Sequence, residues 1–258
     1  MITAMISRKG GVGKTTTTVN LAAALAEQGQ KVLLIDLDSQ ASASLSLGVR
    51  PEKLSPSSAD LLLRNTRPTE LIRRSGIESL DLITASVDLL DADAQLGAFR
   101  GRNLRLRGPL TAVAEYYDHI LLDCPAGLSV VPGNAIAAAD AFIAPTTPHF
   151  LSISGLRNLI DAAERISWDA GTRIRCMGLL LTMVDYRTKL TRRSVDQIRA
   201  EYGPQVFAIE VRTNTRLAEA PEQGMSIFQY DPRARGAEAY RLLADEYLLR
   251  AAEVARRG

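Results

Sequence analysis

The residues Lys9-Gly10-Gly11-Val12-Gly13-Lys14-Thr15-Thr16 bring together the groups that bind phosphate. Glycines let a backbone turn tightly and aim successive N–H groups at one point, which makes an anion cradle where a helix begins. Lys14 supplies a cation on a flexible stem, and the Thr15 hydroxyl is a ligand for a hard divalent ion. A glycine-rich turn with no ligand is the bland alternative, but it would not need the Gly-Lys-Thr ending. Two other stretches close apolar runs with acids. Leu33-Leu34-Ile35-Asp36-Leu37-Asp38 puts Asp36 and Asp38 on one face of a strand, and His119-Ile120-Leu121-Leu122-Asp123 ends in Asp123. Phosphoryl transfer to water needs these parts: a metal-anchoring acid and a group that orients the nucleophile. Capping of a following helix is the competing use of Asp38, and more so of Asp36.

The elements that must position these groups follow from periodicity. Short apolar runs alternate with amphipathic helical stretches, the pattern of βαβ units. Strands are predicted at Ile2–Ser7, Lys31–Asp36, Leu80–Thr84, His119–Asp123, Ala141–Ala144, Arg175–Met183 and Gln205–Ile209. Helices are predicted at Thr15–Gln28, Leu104–Tyr116, Gly155–Ile166, Ser194–Tyr202 and Ala237–Ala255, with a short one near Ala59–Leu63 between Pro51, Pro56 and Pro68. The expectation is an α/β fold: one P-loop NTPase domain over residues 1–258, with a mostly parallel central sheet and helices on both faces. In such sheets ligands bind at the carboxyl ends of the strands, where the glycine loop and the three acids fall.

Composition narrows the class. The chain has 258 residues and is 46% apolar and 23% charged, which fits a soluble globular protein with a sizeable core. A net charge of only +2 means that any nucleic-acid partner must be met by a local basic patch. Cys124 and Cys176 form no CxxC pair and read as buried, reduced thiols. Met1–Ser7 lacks the basic start and long apolar core of a signal peptide, and no apolar run reaches the ~18–20 residues needed to span a bilayer.

The glycine loop departs from the ordinary GxxxxGK[ST] pattern, because Arg8 stands where the first glycine belongs and Lys9 adds a second lysine. It resembles the deviant Walker A motif, KGGxGK[ST], of the ParA/MinD family. The likeness continues through Asp36-Leu37-Asp38-Ser39-Gln40, Asp123-Cys124-Pro125-Ala126-Gly127, Leu181-Thr182-Met183-Val184-Asp185-Tyr186-Arg187-Thr188 and Arg216-Leu217-Ala218-Glu219-Ala220-Pro221, so it covers nearly the whole chain. The resemblance implies a slow, partner-stimulated ATPase using ATP and Mg²⁺. Lys9 would reach across a homodimer to the partner's nucleotide, Lys14 would hold phosphate, and Asp38 would orient the attacking water. Thr15, Asp38 and Asp123 would serve the metal; Lys9 to Thr16, Asp123, Met183 and Asn214 would line the nucleotide. Ser39 replaces the family's usual proline, Ala41 its glycine, Ala126 its second proline, and Arg212 a proline near the base.

The same resemblance assigns Arg187 and Arg216 to non-specific double-stranded DNA in an ATP-bound dimer. Lys189, Arg192, Arg193 and Arg199 could extend that patch or form a solvated helix face; Arg100, Arg102, Arg105 and Arg107 stay unassigned. A small ParB-like or cargo-specific adaptor would stimulate hydrolysis and release DNA. The cargo would be a plasmid, a chromosome or a protein assembly such as carboxysomes or chemoreceptor clusters, in a cytoplasmic, nucleoid-associated setting. With the first strand expected at residue 2, the operator-binding helix-turn-helix of larger relatives, and sequence-specific repression with it, is not expected here. Three other readings share the fold. A MinD-like membrane cycler would need a lysine-rich terminal helix, whereas residues 237–255 carry Glu238, Asp245, Glu246 and Glu253 and are expected to pack on the domain, with no membrane partner. An iron–sulfur carrier would need clustered cysteines. A metabolic P-loop enzyme would leave Lys9 without a purpose.

Overall fold

Every other residue of the central strands points to the same side of a sheet, and here both sets are apolar, so helices must cover both faces. The computed structural model of the chain describes residues 1–99 and 101–256, with backbone only over 150–154. Among them, strands β1 (Ile2–Met5), β2 (Val32–Asp36), β3 (Arg73–Arg74), β4 (Leu80–Ile83), β5 (His119–Asp123), β6 (Ala141–Thr146), β7 (Arg175–Val184) and β8 (Val211–Arg212) form an eight-stranded sheet in the order β3-β4-β2-β5-β1-β6-β7-β8. β3 is antiparallel to β4; the other neighbours are parallel. The residues that follow β1, β2, β5 and β7 therefore emerge along one edge.

One face packs Ile2, Ala4, Leu33, Ile35, Ile120, Leu122 and Phe142 against α3 (Ser58–Arg64), α5 (Arg107–Val113), α6 (Val130–Ala138), α7 (Phe150–Asp169) and α8 (Lys189–Tyr202). The other packs Met5, Leu34, Leu121 and Ile143 against α1 (Lys14–Glu27) and the last helix (Arg235–Arg256), with two short helices, α2 (Ser42–Ser46) and α4 (Ala92–Leu96), in the connections between. In that last helix Tyr240, Leu243 and Tyr247 are buried. Tyr240 and Tyr247 keep their hydroxyls satisfied within this dry layer, by Thr17 at 3.3 Å and by Thr3 at 3.0 Å. The helix packs on the domain through this face, as expected from the sequence, while Leu242 and Leu249 stay exposed. No helix among the described residues is long and apolar enough to cross a membrane.

Several predicted boundaries move. Gln205–Ile209 is not a strand: only Val206 bridges β7, while the Ala208 and Ile209 N–H groups donate to the Glu246 carboxylate at 2.9 and 3.1 Å. A long-range acid has taken the donors that a ladder would use, and pairing passes to β8. Residues 104–116 form α5 between short 3₁₀ turns rather than one helix. α7 and α8 each begin five residues before their predicted starts. Cys124 is buried as expected, but Cys176 is only partly so.

Candidate nucleotide site

The glycine loop joins β1 to α1. Gly11 and Gly13 take φ of 71° and 79°, a left-handed backbone that only glycine adopts at no steric cost. No side chain caps the first turn of α1, so its leading N–H groups face the loop. The loop is pinned from both sides. Ser7 Oγ donates to the Lys9 carbonyl at 2.7 Å, and Thr182 Oγ1 donates to the Val12 carbonyl at 2.8 Å. Lys14 is buried at 7% exposure, whereas Lys9 is exposed.

Beneath the loop, Asp123 lies opposite Asp36 on the adjacent strand, and both are fully buried. Asp123 accepts hydrogen bonds from Thr15 Oγ1 and Thr18 Oγ1, each at 2.8 Å. Asp36 accepts from the Ser44 N–H at 2.8 Å, from Ser44 Oγ at 2.7 Å and from the Asp38 N–H at 3.1 Å. Burial pushes both carboxyls above the usual carboxylate range. The Asp123 charge pushes Asp36 further and Asp38 does the same to Asp123, while these hydrogen bonds and, for Asp123, the Lys14 ammonium pull the other way. Burial likewise pushes the neighbouring Cys124 thiol far up, so it stays neutral.

Asp36 is thus an anchor for the loop that carries Asp38. Asp38 is half-buried and has one oxygen on the Gln40 N–H at 3.0 Å. Ala41 closes that loop at φ 51°, a left-handed backbone that is strained for a residue with a Cβ. The residues after β5 are tied to the same place, since the Gly127 N–H donates to the Ser7 carbonyl at 2.9 Å.

The donor set suits Mg²⁺. A hydroxyl and a carboxylate already meet at 2.8 Å, a second acid is near enough to perturb the first, and all are hard oxygens. A divalent cation beside Asp123 would relieve the burial and the neighbouring negative charge that hold its carboxyl above the ordinary range.

Thr18, Ser44 and Thr182 also hold the site together, and the sequence reading passed over all three. Thr18 was within reach, because a residue three after Thr15 shares its helix face; Ser44 meets Asp36 across an eight-residue loop and Thr182 meets Val12 from the far half of the chain. Met183 stands beside the loop, its Cε 3.9 Å from a Cβ built on Gly13, with its own backbone at φ 51°. The Asn214 side chain accepts the Arg216 N–H at 2.9 Å and so caps the short helix Thr215–Glu219.

The basic residues sort by partner. Arg187 is chelated by Asp185, which it pulls down to about 2. Arg216 pairs with Glu219 at 2.8 Å and lies 3.6 Å from Asp231. Arg199 does not extend an exposed patch: it is spent on Glu210 and on the Phe207 and Ala208 carbonyls. Lys189, Arg192 and Arg193 are exposed. Arg102 and Arg105 bond the Gly97 and Leu62 carbonyls, Arg107 is exposed, and Arg100 lies outside the described residues.

A parallel sheet whose first strand feeds a GKT loop, with a buried acid beside the loop's threonine, defines a P-loop NTPase. Residues 1–175 match the AAA domain family. The chain is 37% identical to the sporulation initiation inhibitor protein Soj of Bacillus subtilis, an alignment covering 95% of this chain and 97% of Soj. It is 39% identical to the chromosome-partitioning ATPase Soj of Thermus thermophilus, covering 97% and 96%. Among solved structures, a cobyrinic acid a,c-diamide synthase from Mycobacterium smegmatis with bound ADP and magnesium superposes with a TM-score of 0.81 at 30% identity, covering 95% of this chain and 92% of that one. The chain belongs to the ParA/Soj/MinD family of deviant Walker A ATPases.

Proposed function

We propose that this chain is a partition-type ATPase whose ATP-bound homodimer binds DNA without sequence preference and positions a cargo. The observation that carries the reading is the pairing of an exposed Lys9 at the mouth of the loop with a buried Lys14 within it. On this reading the buried lysine serves its own nucleotide and the exposed one serves the partner's. Identity to the Soj and ParA relatives, at 36–39%, exceeds the 30% to the synthase-named structure.

In this mechanism the loop N–H groups and Lys14 bind the β- and γ-phosphates of ATP. Thr15, Asp38 and Asp123 would hold Mg²⁺, which neutralises phosphate charge when bound. Met183 and Asn214 border the base. Lys9 crosses to the partner's nucleotide, as an arginine finger does, so the γ-phosphate is clasped only in the dimer. Asp38 orients the attacking water, and Asp36, fixed by Ser44, keeps Asp38 in place. Cleavage removes the anion that both lysines share, the dimer separates, and the DNA is released. An adaptor of the ParB kind sets the rate.

The test is fluorescence anisotropy of labelled duplexes of unrelated sequence. Affinity should appear with ATP and Mg²⁺, be alike for all sequences, fall steeply with salt, and vanish with ADP. Equal affinity with ATP and ADP would remove the reading.

A further inference from the structure

Beside β8 lies an open cleft of about 1490 Å³ between the outer edge of the sheet, the start of α8 and the last helix. Arg192 and Arg212 stand over the Tyr186 ring, their guanidinium carbons 5.5 and 5.2 Å from its centroid. The ring is fixed: Tyr186 Oη donates to Glu210 at 2.7 Å, and Arg199 holds Glu210 from the other side at 2.7 Å. Neither Arg192 nor Arg212 has an ion pair among the described residues, and both are exposed.

Arg187 and Arg216 are in the opposite condition, since acids of their own chain occupy them. A phosphate approaching Arg187 must first displace Asp185, whereas stacking on an aromatic ring uses only the guanidinium face and leaves its N–H edge for an anion. Of the three acids that line the cleft, Asp185 is committed to Arg187 and Glu210 to Arg199 and Tyr186, while Glu238 on the last helix is exposed. From this contrast we infer that Arg192 and Arg212, held by Tyr186, are the principal phosphate-binding side chains for the DNA backbone in this chain, ahead of Arg187. This rests on the DNA-binding reading above. The occupant is the phosphodiester backbone rather than an acidic protein segment, because Lys189 and Arg193 beside Arg192 on α8 are exposed too and extend the cations into the run that a repeating polyanion engages.

The experiment measures duplex affinity of the ATP-bound dimer against salt for the wild type, Arg192→Ala, Arg212→Ala, the double variant, Arg187→Ala and Tyr186→Leu. Each substitution removes one arginine from both subunits, so the slope of log K against log salt should fall by about 0.9 for every removed arginine that neutralises a phosphate, about 1.8 where both copies do. The double variant should lose the most, Tyr186→Leu should weaken binding without removing a charge, and Arg187→Ala should change the slope least. A wild-type slope in a double variant that still dimerises with ATP overturns this inference alone. So does a double variant that keeps its DNA slope but no longer binds polyglutamate, which would assign the cleft to an acidic protein. A wild-type dimer with no DNA affinity overturns the inference together with the reading on which it rests.

Discussion

Thr18→Val is nearly isosteric and removes one hydroxyl from the centre of the site. Thr18 Oγ1 donates to Asp123 Oδ1 at 2.8 Å, and both residues are fully buried. Hydrogen bonds to a charged group are worth ~1.5–3 kcal/mol, and the carboxylate left short of a donor has no water to replace it. Urea denaturation without nucleotide at about pH 8 should therefore show a loss of ~1.5–3 kcal/mol. The loss has a pH signature. Burial already raises the Asp123 carboxyl, and removing a donor raises it further. As pH falls, Asp123 takes up its proton in the folded state and no longer needs the donor to support a charge. The difference from wild type should shrink at about pH 5. Calorimetric titration should also show weaker nucleotide binding with Mg²⁺ and little change without it. A loss below ~0.5 kcal/mol at high pH, or one independent of pH, would refute this account of how Asp123 is held.

Other outcomes follow from the same geometry. Asp38→Ala should bind ATP and dimerise, with turnover reduced by roughly 10²–10⁴-fold in a phosphate-release assay. Wild-type hydrolysis in that variant would give the water-orienting part to another residue. His119 is buried against Tyr247, and burial, followed by the charge of the chain's amino terminus, lowers it from 6.5 to about 4. The folded state therefore keeps His119 neutral while the unfolded chain takes up a proton, so stability present above 6.5 is lost as pH falls towards 4. The full shift corresponds to at most ~3 kcal/mol, and His119→Asn should flatten this part of the pH–stability profile. Gly178→Ala would place a Cβ 2.7 Å from Phe207 and 2.9 Å from the Gln205 carbonyl. Thermal melting should show a cost of ~1–3 kcal/mol with nucleotide binding intact.

The site was legible in the sequence where chemistry is local. Lys9 to Thr16 and the acid-ended runs at Asp38 and Asp123 declare themselves by spacing, because a strand-loop-helix turn and a strand tip each span a few residues. The β1–α1 and β5 elements followed from the same runs. What stayed hidden is long-range. Nothing near Val206–Ile209 says that Glu246, thirty-seven residues on, will take its N–H groups. Nothing in the pattern around Arg187 or Arg216 distinguishes a cation open to phosphate from one chelated by Asp185 or Glu219. The Tyr186 stack needs Arg192 and Arg212 brought to one ring from a helix and an edge strand, and only the folded sheet does that.

Light scattering on the size-excluded protein with Mg²⁺ and a non-hydrolysable ATP analogue goes most directly to the claim that terminal phosphate joins two chains. Wild type should run at twice its 28.0 kDa and return to the single-chain mass with ADP, while Lys9→Ala should bind the analogue yet stay at the single-chain mass. A wild-type protein that keeps the single-chain mass at saturating analogue, or a Lys9→Ala variant that dimerises as well as wild type, would contradict it.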